Sequence, residues 1–312
     1  MNALPEMPRT VGAEHPPYPP RRVGALHPPS ATSSALPVRA MPMVLTLAAK
    51  EVREGIRNRW VLATTLLLAA LALTLALLGS APTGTVGASR LDVVTVSLAS
   101  LTIFLVPLIA LLLSHDAIAG EAERGTLLLL LAYPVSRGAV ILGKFLGQLA
   151  ILALATIVGY GVAALAVGWN LGAAAWGAFA TMVGASVLLG AVFLALGLLA
   201  STVVRQRSTA GGIAIGLWLA FVLIYDMAFL GLLVASGGHS LPPLLIDALL
   251  ALNPTDAYRL LTLGAAGTGG LTGIGALAGH TALTPPILVG VLLAWTAAPL
   301  ALAALVFSRR EL

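Results

Sequence analysis

The sequence predicts an all-α polytopic membrane protein with six transmembrane helices, an amphipathic elbow helix before the first and a helical cytoplasmic segment between the second and third. Three observations carry that expectation. Of the 312 residues, 59% are apolar and 9% charged, with a mean hydropathy of +0.99, whereas soluble domains carry about 25% charged residues. Six stretches reach the ~20 apolar residues that a bilayer crossing needs: 60 to 79, 93 to 113, 142 to 167, 179 to 200, 211 to 235 and 286 to 307. Lys and Arg concentrate in the tail, the 114 to 141 and 201 to 210 connections and the C-terminal SRREL, against only Arg90 and Arg259 in the alternate connections. The positive-inside rule then makes both termini cytoplasmic.

Composition also excludes function classes. The formal net charge of +5 sits beside apolar spans rather than on one basic face, so it reads as topology and not as nucleic-acid binding. With no cysteine in the chain, disulfides and thiolate metal centres are excluded. Metal chemistry is left to His, Met or carboxylates.

Residues 1 to 42 hold ten of the nineteen prolines, in clusters such as HPPYPPRR, and predict a disordered tail preceding a membrane domain over 43 to 312. No apolar signal region precedes Leu45, and Met41 or Met43 is a candidate true start. In MVLTLAAKEVREGIRNRW, Val44, Ala48, Val52 and Ile56 recur every fourth residue. Lys50, Glu51, Arg53, Glu54, Arg57 and Arg59 occupy the other faces. That pattern predicts an amphipathic helix lying on the membrane surface.

Trp60, Trp169 and Trp176 stand where interfacial aromatics belong. Gly143 with Gly147, and Gly212 with Gly216, form GxxxG pairs that permit close helix approach, between copies or within one. Pro107 and Pro299 predict kinks.

The segment GAVILGKF nearly spells a phosphate-binding loop, but it lacks the Ser or Thr that holds magnesium and leads into a transmembrane helix. Its Lys144 is expected to snorkel to the headgroup layer, together with Arg137. Upstream, GEAERGT is too polar for hydrocarbon, and Leu127 to Ala132 is too short to cross it before Tyr133 and Pro134. A short interfacial helix is expected there, exposing Glu121, Glu123, Arg124, Gly125 and Thr126 to a partner or merely to solvent.

Ser114, His115 and Asp116 end span two; the His-Asp pair lacks a third ligand and reads as a polar interfacial end rather than a metal or hydrolase site. Asp226, flanked by Tyr225 and Met227 in span five, is a candidate for a cavity-facing carboxylate, for a local bond to Tyr or backbone, or for a place near the outer interface, since a charge in hydrocarbon is costly. In the long outer segment from Ser236 to Pro286, Asn253 and Pro254 are placed to start a helix over PTDAYRLLTL. Asn253, Asp256, Tyr258 and Arg259 are candidates for contact with an outer partner or for packing on the chain's own spans. The Gly-rich run GAAGTGGLTGIGALAGH follows.

Three segments, KEVREGIRNRW, SHDAIAGEAERGTLLLLLAYPVSRGAVILGKFLG and LNPTDAYRLLTL, resemble the ABC-2 type permeases. Within that family, the NPTDAYRL segment resembles the membrane subunits of the transporter for nitrous oxide reductase maturation. The resemblance covers Met43 to Leu312 and implies a homodimer of six-span subunits in the bacterial cytoplasmic membrane, in contact with membrane lipid. It also implies a cytoplasmic ATPase that binds ATP and Mg, an extracytoplasmic β-helical partner, and no enzyme activity or cofactor in this chain. The elbow maps to Lys50 to Arg59, with Lys50, Glu51, Arg53 and Arg57 as its charged residues, and a coupling helix to Ile118 to Ala132.

Copper as cargo fits poorly, because beyond its start the membrane domain holds only Met182, Met227 and three His, and soft metals prefer Met, Cys or His. A sulfur species or motion alone fits as well. Rival readings are an ABC-2 exporter of a drug, lipid or polymer, and an ion-coupled carrier, which would call for intramembrane charge pairs and internal repeats.

Overall fold

The structure, a computed structural model, describes residues 40–57, 59–78, 90–133, 135–168, 173–236, 242–265 and 281–310. All of them belong to a compact unit spanning Arg39–Leu312. The proline-rich tail up to residue 39, Trp169 and most of the Gly-rich run lie outside the described residues.

Those residues are mostly helical, with no strand among them. Helix α1 is Ala40–Ile56, α2 Arg59–Leu78, α3 Arg90–Ser114, α4 Ala119–Glu123, α5 Thr126–Leu131, α6 Arg137–Gly168 and α7 Ala173–Val203. A broken run follows: α8 Arg207–Leu219, a π-helical turn at Ala220–Ile224, then α9 Tyr225–Ala235. Helices α10 Pro243–Leu252, α11 Pro254–Ala265 and α12 Pro285–Arg309 complete the order.

Five helices among the described residues are long and apolar enough to cross a membrane: α3, α6, α7, the α8–α9 run and α12. A sixth is added if Met43–Ile56 and Val61–Leu75, inclined by 69°, count as one broken span.

Helix α7 lies at the centre, packed against α3, α6 and α12, while α1 and α2 both lean on α6. One apolar cluster joins Val106, Leu152, Leu189, Phe193, Leu292 and Phe307; a smaller one joins Leu68, Leu98, Tyr160, Phe179 and Met182. By contrast, α8–α9 and α12 show most of their apolar side chains outward, among them Ile215, Ile224, Val234 and Leu305. Such faces are normal where the surrounding solvent is lipid.

Of the two GxxxG pairs, one is occupied within the chain. A Cβ on Gly143 would lie 2.6 Å from Leu47 Cβ, and one on Gly147 would lie 2.4 Å from Glu51 Cβ. The two glycines therefore set how closely α1 approaches α6. Gly212 and Gly216 have open space beside them.

The buried side of α1 follows the fourfold stripe as far as Val52 and departs from it at Ile56. Val44 and Gly55 are buried and Leu47, Ala48, Glu51 and Val52 partly so, while Ile56 is exposed. Glu51, grouped by sequence with the polar face, turns inward instead. The charge partner it finds there outweighs the apolar period that Ile56 continues.

Candidate functional site

The end of the bundle that carries α4 and α5 is built around Lys144. Rather than snorkelling, this lysine is 3% exposed and donates to Glu51 Oε1 of α1 at 2.9 Å and to Glu121 Oε1 of α4 at 2.7 Å. Two carboxylates from distant segments supply what the headgroup layer was expected to supply. The lysine thereby ties α1, α4 and α6 together. Arg137 is likewise no free anchor, since its guanidinium donates to the carbonyls of Phe307, Ser308 and Arg310 and lies over the Phe307 ring. It closes the C-terminal end of α12, where helix carbonyls lack partners.

Where one coupling helix over Ile118 to Ala132 was expected, the chain forms two short helices. Gly125, at φ 74°, breaks them apart in a left-handed conformation that glycine adopts without strain. The backbone N–H groups of Ile118 and Ala119 both donate to Ser201 Oγ of α7 at 3.0 Å, so α7 supplies the cap that α4 lacks in its own sequence. Asp116 pairs with Arg124 at 3.4 Å and with Arg207, at the start of α8, at 3.1 Å. His115 Nδ1 lies 2.9 Å from the Leu112 carbonyl. The His-Asp pair is thus spent on local bonds, and no group of three or more His, Cys, Asp or Glu among the described residues is placed to hold a metal.

Of the residues singled out beforehand, Glu121 is in the Lys144 node, while Glu123, Arg124, Gly125 and Thr126 are exposed around it. Leu127 plugs into the core, and Leu128, Leu129 and Tyr133 stay exposed. On α1, Lys50 pairs with Glu54 at 3.5 Å, and Arg53 and Arg57 are exposed.

A second polar cluster joins α9 to α11. Arg259 donates to Asp226 Oδ2 at 2.7 Å and to Asp256 Oδ1 at 2.8 Å. The mid-span acid and the outer-segment arginine, read separately from sequence, are one ionic group. Asn253, Asp256 and Tyr258 are buried, facing the chain's own interior rather than an outer surface. Asn253 Oδ1 accepts from the Thr255 N–H at 3.1 Å, the cap that starts α11 at Pro254.

The π-helical turn explains why α11 docks here. The Phe221 carbonyl within it receives Asn253 Nδ2 at 3.2 Å and Thr255 Oγ1 at 3.3 Å. A π-turn loosens the normal helix ladder, and the asparagine and threonine satisfy the carbonyl it exposes. Tyr225 donates to the Leu249 carbonyl at 2.7 Å, and Tyr258 meets Ser186 of α7 at 3.2 Å. Burial pushes the Asp256 carboxyl up to about 7; Arg259 opposes this, the charge on Asp226 adds to it, and Asn253 opposes it again. Met227 points away, 73% exposed, while Met182 is packed in the apolar cluster of Leu68 and Phe179, so the two soft donors do not converge.

Residues 45–312 match the family described as ABC-2 family transporter protein. The chain is 48% identical over 276 residues to the Probable ABC transporter permease protein NosY of Pseudomonas aeruginosa, covering 87% of this chain and 100% of that one. It is also 48% identical over 276 residues to the protein of the same name from Stutzerimonas stutzeri, covering 86% and 99%.

Proposed function

The chain belongs to the ABC-2 family of transporter proteins, and we propose that it is the permease subunit that couples ATP hydrolysis by a separate ATPase to transport, or to mechanical transmission, in maturation of the nitrous oxide reductase copper centre. Membership makes it a multi-pass protein of the bacterial cytoplasmic membrane, and an ABC-2 permease implies a cytoplasmic ATPase partner. ATP and Mg belong to that partner. The maturation role draws on the NPTDAYRL resemblance and on the 48% identity to two proteins named NosY.

The observation that carries the coupling reading is Lys144 held between Glu51 and Glu121. With α4 and α5 as the coupling segment and α1 as the elbow, a push on the exposed Glu123, Arg124 and Leu128 reaches α1 and α6 through an ionic link that is costly to break. Two copies placed side by side, each with its ATPase, would tilt together. Farther along the bundle, the Asp226–Arg259–Asp256 group acts as a strut joining α9 to α11, so that the tilt moves the outer segment against a periplasmic β-helical partner.

The test is purification from native membranes in mild detergent, with and without the double substitution Glu123→Arg and Arg124→Glu. Recovery of an ATPase and a β-helical protein with the parent, and loss of the ATPase with the swap, is expected. Full ATPase recovery with the swap would contradict the coupling assignment, and an ATPase without the β-helical protein would favour a general exporter.

A further inference from the structure

The α8–α9 run is one apolar crossing interrupted by the π-helical turn at Ala220–Ile224. At that turn the Tyr225 N–H donates to the Ala220 carbonyl, where a continuous α-helix would have it donate to Phe221. The Phe221 carbonyl so released takes Asn253 Nδ2 and Thr255 Oγ1, from the start of α11, in its place. Backbone groups among lipid-facing helices have no water to turn to. If α11 withdraws, the donor at hand for Phe221 is the Tyr225 N–H, and taking it makes the run α-helical throughout.

That exchange has a fixed geometric consequence. A π-turn holds one residue more than an α-turn, so closing it turns α9 against α8 by about 100° and advances it by about 1.5 Å. The two halves are held unequally. Trp218 of α8 donates to the Phe104 carbonyl of α3 at 2.9 Å. The Phe221 ring stands edge-on to Phe193 of α7 and Trp295 of α12, with centroid separations of 6.1 and 5.4 Å. Beyond the turn, Phe229 is the one buried residue of α9, while Met227, Leu230, Leu232 and Val234 are exposed. Lipid accepts such an apolar surface in any orientation, so what fixes α9 about its own axis is its ties to α10 and α11. Tyr225 donates to the Leu249 carbonyl, and Asp226 pairs with Arg259.

We propose that the π-turn is a register switch: docked α11 holds α9 in the π register, and release of the Phe221 carbonyl turns α9 by one residue, carrying Asp226 off Arg259. The outward surface of this span then reports whether α11 is seated. The switch goes beyond the coupling reading, since every bond in it lies within this chain.

The experiment measures the distance between spin labels at Ile215→Cys and Val234→Cys in the full chain in nanodiscs. Both sites are exposed, and the chain has no cysteine of its own. Helical geometry puts the two positions on about one face while the run holds its π-turn and about 100° apart once it is α-helical throughout, which lengthens the separation by roughly 5 Å. Asn253→Ser with Thr255→Val removes both donors to Phe221 and keeps an oxygen at the helix cap. Expected is one short separation in the parent, a second and longer population in that pair variant, and a larger share of it when Asp226→Asn is added. Thr255→Val alone, a near-isosteric change, should show the longer population at a lower share. Removing Leu223 from the pair variant closes the π-turn without turning α9 and should restore the short separation. The short separation alone in all three donor variants overturns the switch. A longer population that survives removal of Leu223 overturns it too, because loosened packing rather than register would then be its source.

Discussion

Lys144 shows why a lysine next to a membrane span need not reach for water. Its ammonium is held by two carboxylates drawn from residues 93 and 23 positions away. Removing it strands Glu51 and Glu121 together, and breaking a buried pair typically costs about 3–5 kcal/mol. Lys144→Met is therefore expected to lower the thermal midpoint in detergent, and adding Glu51→Gln to recover part of the loss; equal midpoints for parent and Lys144→Met would contradict the pairing. Asp256 makes a pH prediction. Its folded carboxyl titrates near 7, above the usual 3.8, so between those values the folded protein holds a proton that the unfolded chain has released. The stability it contributes is complete below the lower value and lost as pH rises through about 7. Melting curves across that window should show the parent losing stability with rising pH relative to Asp256→Asn; parallel curves would remove Asp256 as the cause.

At the scale of elements, small residues set the geometry. Gly125 separates α4 from α5 at a positive φ with nothing crowding it, so Gly125→Ala should cost about 1–2 kcal/mol through backbone strain alone, read as a lower midpoint with unchanged helix content. Gly147 has no such strain but no space either, and Gly147→Leu should lift α1 from α6. Spin labels on cysteines placed at the exposed Arg53 and Leu154 would report a longer separation. An unchanged distance would show that the glycine contact does not fix α1. These elements also mark what sequence made legible. Hydropathy located the five spans formed by α3, α6, α7, the α8–α9 run and α12, because each is long and uniformly apolar, whereas the expected first span reaches that standard only when counted together with α1; Asn253 with Pro254 announced α11 because cap chemistry is local. The Glu51–Lys144–Glu121 and Asp226–Arg259 groups were not legible. Helical periodicity gives the face of a residue but not which distant helix meets it, and the π-turn that seats α11 has no composition of its own.

Across the whole molecule, the Lys144 node at one end and the Arg259 strut farther along the bundle are linked by long helices, α6, α7 and the α8–α9 run, with α7 packed at the centre. Close-packed helices move as bodies rather than absorbing strain locally, so force applied at α4 has a rigid route to α11. The most direct measurement is the distance between spin labels at Leu244→Cys, an exposed site on α10, in the two copies of the proposed dimer with the proposed ATPase bound, with and without trapped ATP. The expected result is an ATP-dependent shift in the parent that disappears in Glu121→Gln while the ATPase stays bound. A shift that persists unchanged in Glu121→Gln, or no shift in the parent, would contradict transmission through the Lys144 node.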